Sequence, residues 1–204
     1  MDMFLAIALG IGLAAACGFR VFVPLLALNL AAQAGQISLP DGFAWMAGTP
    51  ATVAFATATL AEVLGYYLPW FDSFLDTIAT PAAVVAGTIT TAAVIPDMGP
   101  FFKWTLALIA GGGIAGLVQI STVALRAKSL LATGGTGNPV FSTLELAGSV
   151  VTTLLALFVP LLCLALLALF GLGLLRKALR RGKNRPAPQP LCGGPARIPE
   201  NEKR

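Results

Sequence analysis

Phe101–Leu125 reads FFKWTLALIAGGGIAGLVQISTVAL, twenty-five residues with a single charge, Lys103. A helix needs about 20 apolar residues to cross a bilayer, within a range near 17–25. This run therefore predicts a membrane-spanning helix, and the rest of the chain repeats its character. Of 204 residues, 57% are hydrophobic and 11% charged, with a mean hydropathy of +0.85. A soluble domain of this size carries about 25% charged residues.

Working outward, the sequence predicts an all-α, polytopic transmembrane helical bundle of about six segments. The first runs from Met3 to about Ala34 and is interrupted by Gly18-Phe19-Arg20 and Pro24. It is too long for one straight crossing. It reads either as a kinked, tilted helix or as two half-helices broken near Gly18. Ala51–Leu68 is the second segment. A short amphipathic piece, Phe71–Thr80, separates it from the third, Pro81–Ile95. Pro96-Asp97-Met98-Gly99-Pro100 marks a turn before the fourth, Phe101–Leu125. A glycine-rich loop follows, with Ser142 as candidate N-cap of the next helix. Ser142–Leu175 is again too long for one crossing, and two helices turning at Val159-Pro160 are the favoured reading.

Charge is concentrated at one end. Residues 176–204 hold nine of the thirteen Lys and Arg, giving a tail of +7 behind a membrane part of −3. Residues 1–176 form the predicted membrane domain and 177–204 a basic, disordered tail. Lys and Arg in short loops set orientation. The tail thus places the C-terminus of a multi-pass membrane protein in the cytoplasm, with the N-terminus on the same side and the base-free loop 35–50 outside. The acidic start, Met-Asp-Met, argues against a cleaved signal peptide. Beyond the bilayer itself, the tail could bind anionic lipid headgroups. A homo-oligomer is open. Nucleic acid is not an expected partner, because no basic groove with interleaved aromatics is present.

Each half carries a lone Arg followed by a Glu-x-x-Gly helix and a proline-led apolar stretch: Arg20, Glu62 and Pro81, then Arg126, Glu145 and Pro160. This suggests a 3+3 inverted repeat over residues 3–95 and 101–176, an architecture common in secondary transporters. Polar and small residues also recur at steps of three and four. Ala115, Gln119, Thr122, Arg126 and Ser129 share a face, as do Ser142, Glu145, Ser149, Thr152 and Ala156. Such stripes pack helices against each other. Ionisable groups within a membrane are costly and need partners or a wet cavity. The candidates for a solute or ion path are accordingly Arg20, Glu62, Gln119, Thr122, Arg126 and Glu145. An Arg20–Glu62 ion pair is one arrangement, and Arg126 and Glu145 lie close enough to predicted ends to snorkel. Asp72 and Asp76, spaced i and i+4, are a candidate interfacial cation or loop site.

Enzyme chemistry finds little footing. The chain has no histidine, three scattered cysteines, no zinc spacing and no phosphate loop. No catalytic residue, metal or cofactor is assigned. A lipid enzyme built on Asp72 and Asp76 ranks last. A small transporter or channel for a small solute, an anion among the candidates, ranks first. A structural or assembly protein without a transport path is the alternative.

Gly12-Leu13-Ala14-Ala15-Ala16-Cys17-Gly18-Phe19-Arg20 with Pro24, then Glu62 followed by Pro69, Asp72 and Asp76, then Asn138-Pro139, Ser142 and Glu145, resemble the domain-of-unknown-function 4126 family over roughly residues 5–170. That family often carries His, Lys and Arg at steps of three and four on its fourth helix. Here Gln119 and Thr122 precede Arg126, so only the arginine matches. Leu146 likewise stands where an acid often follows the second Glu. The resemblance, to a bacterial family, implies an integral protein of the bacterial inner membrane and supplies no activity.

Overall fold

The computed structural model describes residues 2–65, 69–96, 98–133 and 138–183, and among these every regular element is a helix. In chain order they are α1 (Met3–Cys17), α2 (Phe22–Gln33), a 3-10 segment (Asp41–Ala47), α3 (Thr49–Gly65), α4 (Pro69–Val94), α5 (Pro100–Leu106), a π-helical stretch (Ala107–Gly112), α6 (Gly113–Thr133), α7 (Asn138–Phe158) and α8 (Pro160–Lys183). The fold is an all-α helical bundle. The compact unit comprises residues 1–168, and the remainder of α8 belongs to a second unit.

Prolines set the starts. Pro69, Pro100 and Pro160 each open a helix, and Pro50 and Pro139 are second residues. A proline there has no N–H to lose and a φ already suited to the first turn. Pro81 is the exception, because it lies inside α4. The amphipathic piece and the short third segment read from the sequence are therefore one helix of 26 residues. The local sequence around a helix-opening proline and a helix-interior one can be identical, and packing decides between them. Ser142 is corrected similarly: α7 starts four residues earlier at Asn138, so Ser142 lies inside the helix and is not its N-cap.

The first apolar run is two helices. α1 ends at Cys17, and the N–H groups of both Phe19 and Arg20 turn back to the Ala16 carbonyl at 3.0 and 3.1 Å. Pro24 falls in the first turn of α2, where it costs no hydrogen bond. At 1.5 Å per residue, α1 and α2 are about 22 and 18 Å long, each short of a hydrocarbon core near 30 Å. Among the described residues, three stretches are long and apolar enough to cross: Thr77–Val94, Pro100–Ser129 and Val140–Phe158. Their outward residues, such as Ile109, Leu117, Ile120, Val151 and Leu154, are large, apolar and exposed. That surface is compatible with an integral membrane protein.

α1 is the axis of the bundle. Ten of its fifteen residues are buried, as expected of a helix apolar on all sides. It packs through absent side chains. A Cβ on Gly12 would stand 2.6 Å from Ala156 of α7, and one on Gly18 would stand 2.6 Å from both the Ala115 carbonyl and Val118 of α6. α4 and the α5–α6 helix approach equally closely, with Gly87 against Ala115 and Gly111 against Thr91. Glycine allows this approach because any larger residue would push the backbones apart.

These contacts also fix direction. Thr91 lies level with Gly111, and Gly87 with Ala115. Gly10 lies beside Thr91 and Val94, while Gly18 lies beside Ala115 and Val118. α1 thus runs from the end of the bundle near Val94 toward its middle. After the break, Asn29 Nδ2 donates to the carbonyl of Met46, and the Phe43 ring meets Trp104 near the start of α5. α2 therefore returns toward the end from which α1 came. The start of α1 and the 41–47 segment share one end of the bundle, so the N-terminus and loop 35–50 are not on opposite faces. At the other turn, Cys163 Sγ reaches the Thr152 carbonyl at 3.8 Å. Eleven residues of straight helix would separate them by about 16 Å. The chain bends back at Val159, and the Ser142–Leu175 run is two helices.

A buried charge cluster as candidate functional site

The break between α1 and α2 places Arg20 inside the bundle, 1% exposed. Its Nη2 donates to the carbonyl and the hydroxyl of Ser142 on α7, at 3.0 and 2.5 Å. The same atom lies 3.8 Å from Glu145 Oε2. One helical turn separates Ser142 from Glu145, so both face the guanidinium. Arg126 on α6 donates from Nη2 to the same Glu145 oxygen. Glu145 is thus the shared carboxylate of two arginines from two different elements.

Glu62 serves the other side of the break. Its Oε1 accepts from the Val21 N–H at 2.8 Å and its Oε2 from the Phe22 N–H at 3.1 Å. Those N–H groups open α2 and have no partner within the helix. The carboxylate therefore caps α2 from α3, against the positive end of the helix dipole. Ser149 does the complementary service at 3.1 Å, donating to the Ala16 carbonyl at the end of α1. Both half-helices are finished by side chains of other helices.

The structure brings Arg20, Arg126 and Glu145 together directly, with Glu62 on the two residues that follow Arg20. Arg20 bonds Ser142 and lies beside Glu145, while the Glu62 oxygens accept from backbone N–H groups. Arg126 and Glu145 do not snorkel: they are 5% and 6% exposed, within the bundle. Gln119 and Thr122 are buried on the same stripe of α6, with the Thr122 hydroxyl bonded back to the Gln119 carbonyl at 2.8 Å. The side chains of Asp72 and Asp76 lie outside the described residues. Sequence reasoning had Ser142 as a cap and Ser149 only as a stripe member, and did not foresee either as a partner of the break. Their spacing with Glu145 was the available signal. The buried Asn29, which also accepts from Thr52 at 2.9 Å, is one polar residue in an apolar run and has no spacing pattern to mark it.

The domain of unknown function DUF4126 matches residues 7–180. The chain belongs to the DUF4126 family. The match covers both halves of the DUF4126 chain, including all four charged residues of the cluster. Nothing among curated proteins or solved structures matches it. The two halves differ at the arginine: Arg20 sits in a break between short helices, whereas Arg126 sits within α6.

Proposed function

We propose that the chain is an integral membrane protein that carries a small solute, anions being the first candidates, through a site at the α1–α2 break. One observation supports this most: a helix pair that stops near the middle of the bundle with an arginine between its halves. Broken helices at mid-membrane are a common substrate site in transporters, because half-helix ends offer unpaired backbone groups. Here carboxylates occupy those donors. Glu62 holds the N–H groups of α2, and Glu145 holds the arginines. An incoming anion would compete with Glu145 for Arg20 and Arg126, and protonation of Glu145 would release both. In this reading Gln119 and Thr122 line the approach along α6. The six-segment count and the 3+3 repeat belong to the same proposal.

A structural role without a path is the second reading. It is favoured by the close Arg126–Glu145 pair and by the Ser142 contacts of Arg20, which together can serve as a knot joining three elements. Cysteine labelling separates the two. Ser142→Cys, in a chain with Cys192→Ser, is exposed to a small charged thiol reagent after reconstitution in lipid. A solute path predicts labelling of the introduced thiol, with the buried Cys17 and Cys163 protected. No labelling at position 142 supports the knot.

A further inference from the structure

The 3-10 segment and the start of α5 enclose a cavity of about 550 Å³ lined by Pro40, Asp41, Phe43, Trp45, Lys103 and Trp104, among others. That volume suits a small molecule or a lipid headgroup. Lys103 is a charge on an otherwise apolar helix and is 8% exposed. Its Nζ stands 5.4 Å from the centroid of the Phe43 ring, and that ring packs on Trp104 with centroids 6.2 Å apart. Of its lining, Trp45 and Trp104 are exposed, as are Phe101 and Phe102 at the start of α5. Exposed tryptophans at the end of an apolar helix mark the membrane–water boundary. The cavity thus lies at headgroup depth, with a cation, an anion and aromatic faces in its lining.

We infer that this cavity is a headgroup site for a zwitterionic phospholipid, with the phosphate toward Lys103 and the ammonium toward Asp41 and the rings. The inference rests on the membrane reading but not on the solute path. Lys103 supplies a charge-assisted donor to phosphate. Asp41 would repel a purely anionic headgroup, whereas an ammonium a few ångströms from the phosphate answers it. Aromatic rings attract the same cation.

The test uses the full chain, stripped of lipid and re-equilibrated in micelles containing equal phosphatidylethanolamine and phosphatidylglycerol. Native mass spectrometry then reads the bound lipid. The wild type should retain phosphatidylethanolamine in preference to phosphatidylglycerol. Lys103→Gln should lower retention by about ten-fold or more, the equivalent of one charge-assisted hydrogen bond, and Lys103→Arg should keep it. Asp41→Asn, at an exposed residue, should retain lipid but lose the discrimination, so it carries the test if Lys103→Gln does not fold. Equal retention of the two lipids by the wild type, or unchanged retention in a folded Lys103→Gln, would overturn the inference. So would soluble glycerophosphoethanolamine raising the unfolding temperature as much as the lipid does, since that would identify a free solute as the occupant.

Discussion

Glu145 accepts from Arg126 and lies 3.8 Å from Arg20, and all three are almost wholly buried. Replacing it with Gln leaves two guanidinium groups facing a neutral amide. Breaking a buried ion pair by removing one partner costs about 3–5 kcal/mol, chiefly because the other charge stays behind. Glu145→Gln should fall in that range. Arg126→Gln should cost less, about 2–3 kcal/mol, because Glu145 still has Arg20 beside it. The double mutant should be well short of additive, with a coupling of about 2 kcal/mol. For a chain of this length, 1 kcal/mol moves the midpoint by roughly 2–4 °C, so Glu145→Gln should melt about 6–20 °C below the parent. Thermal unfolding in one detergent, followed by helical circular dichroism, reads all three. The reasoning is refuted if Arg126→Gln costs more than Glu145→Gln, or if the two effects add. A Glu145→Gln protein more stable than the parent would show instead that the charges are held at a cost to stability, as functional sites often are.

Gly18→Ala should destabilise by about 1–3 kcal/mol, since its Cβ would meet a backbone carbonyl and a β-branched side chain at 2.6 Å. Gly113→Ala, with nothing within 4 Å, should instead stabilise by about 0.5–1 kcal/mol in the same melt. Glu62→Ala removes both acceptors from the start of α2 and should cost about 1–2 kcal/mol, whereas Glu62→Gln keeps one oxygen and should lose less; equal losses would mean that charge alone matters there. Thr153→Val should stabilise by about 1 kcal/mol, because the buried Thr153 Oγ1 has no hydrogen-bond partner among the described residues. A clear loss of stability would point to a water or solute bound at that hydroxyl.

Much of the bundle could be read from local chemistry. Gly18-Phe19-Arg20 and Pro24 announced the break, although not whether it was a kink or a gap. The α6 stripe from Ala115 to Ser129 and the α7 stripe from Ser142 to Ala156 were visible in their spacing, and both are largely buried. Partner choice was not visible. That Arg20 reaches Ser142 and Glu145, more than a hundred positions away, depends on how α1 threads between α4, α6 and α7. Nor could the return of α2 be read, because hydropathy gives the length of an apolar run and not its direction. Pro81 misled for a related reason: its penalty inside a helix is local, and the packing of α4 against α1 and α6 outweighs it. The cavity at Lys103 escaped notice because its wall comes from a loop far earlier in the chain.

The most direct test of the solute path is uptake into proteoliposomes across a panel of small inorganic and carboxylate anions, with parent and Arg20→Gln proteins reconstituted at equal folded amounts. The proposed path predicts uptake of at least one anion well above that of empty liposomes, lost in Arg20→Gln. Uptake at the empty-liposome level for every anion, or uptake that Arg20→Gln leaves unchanged, would contradict it.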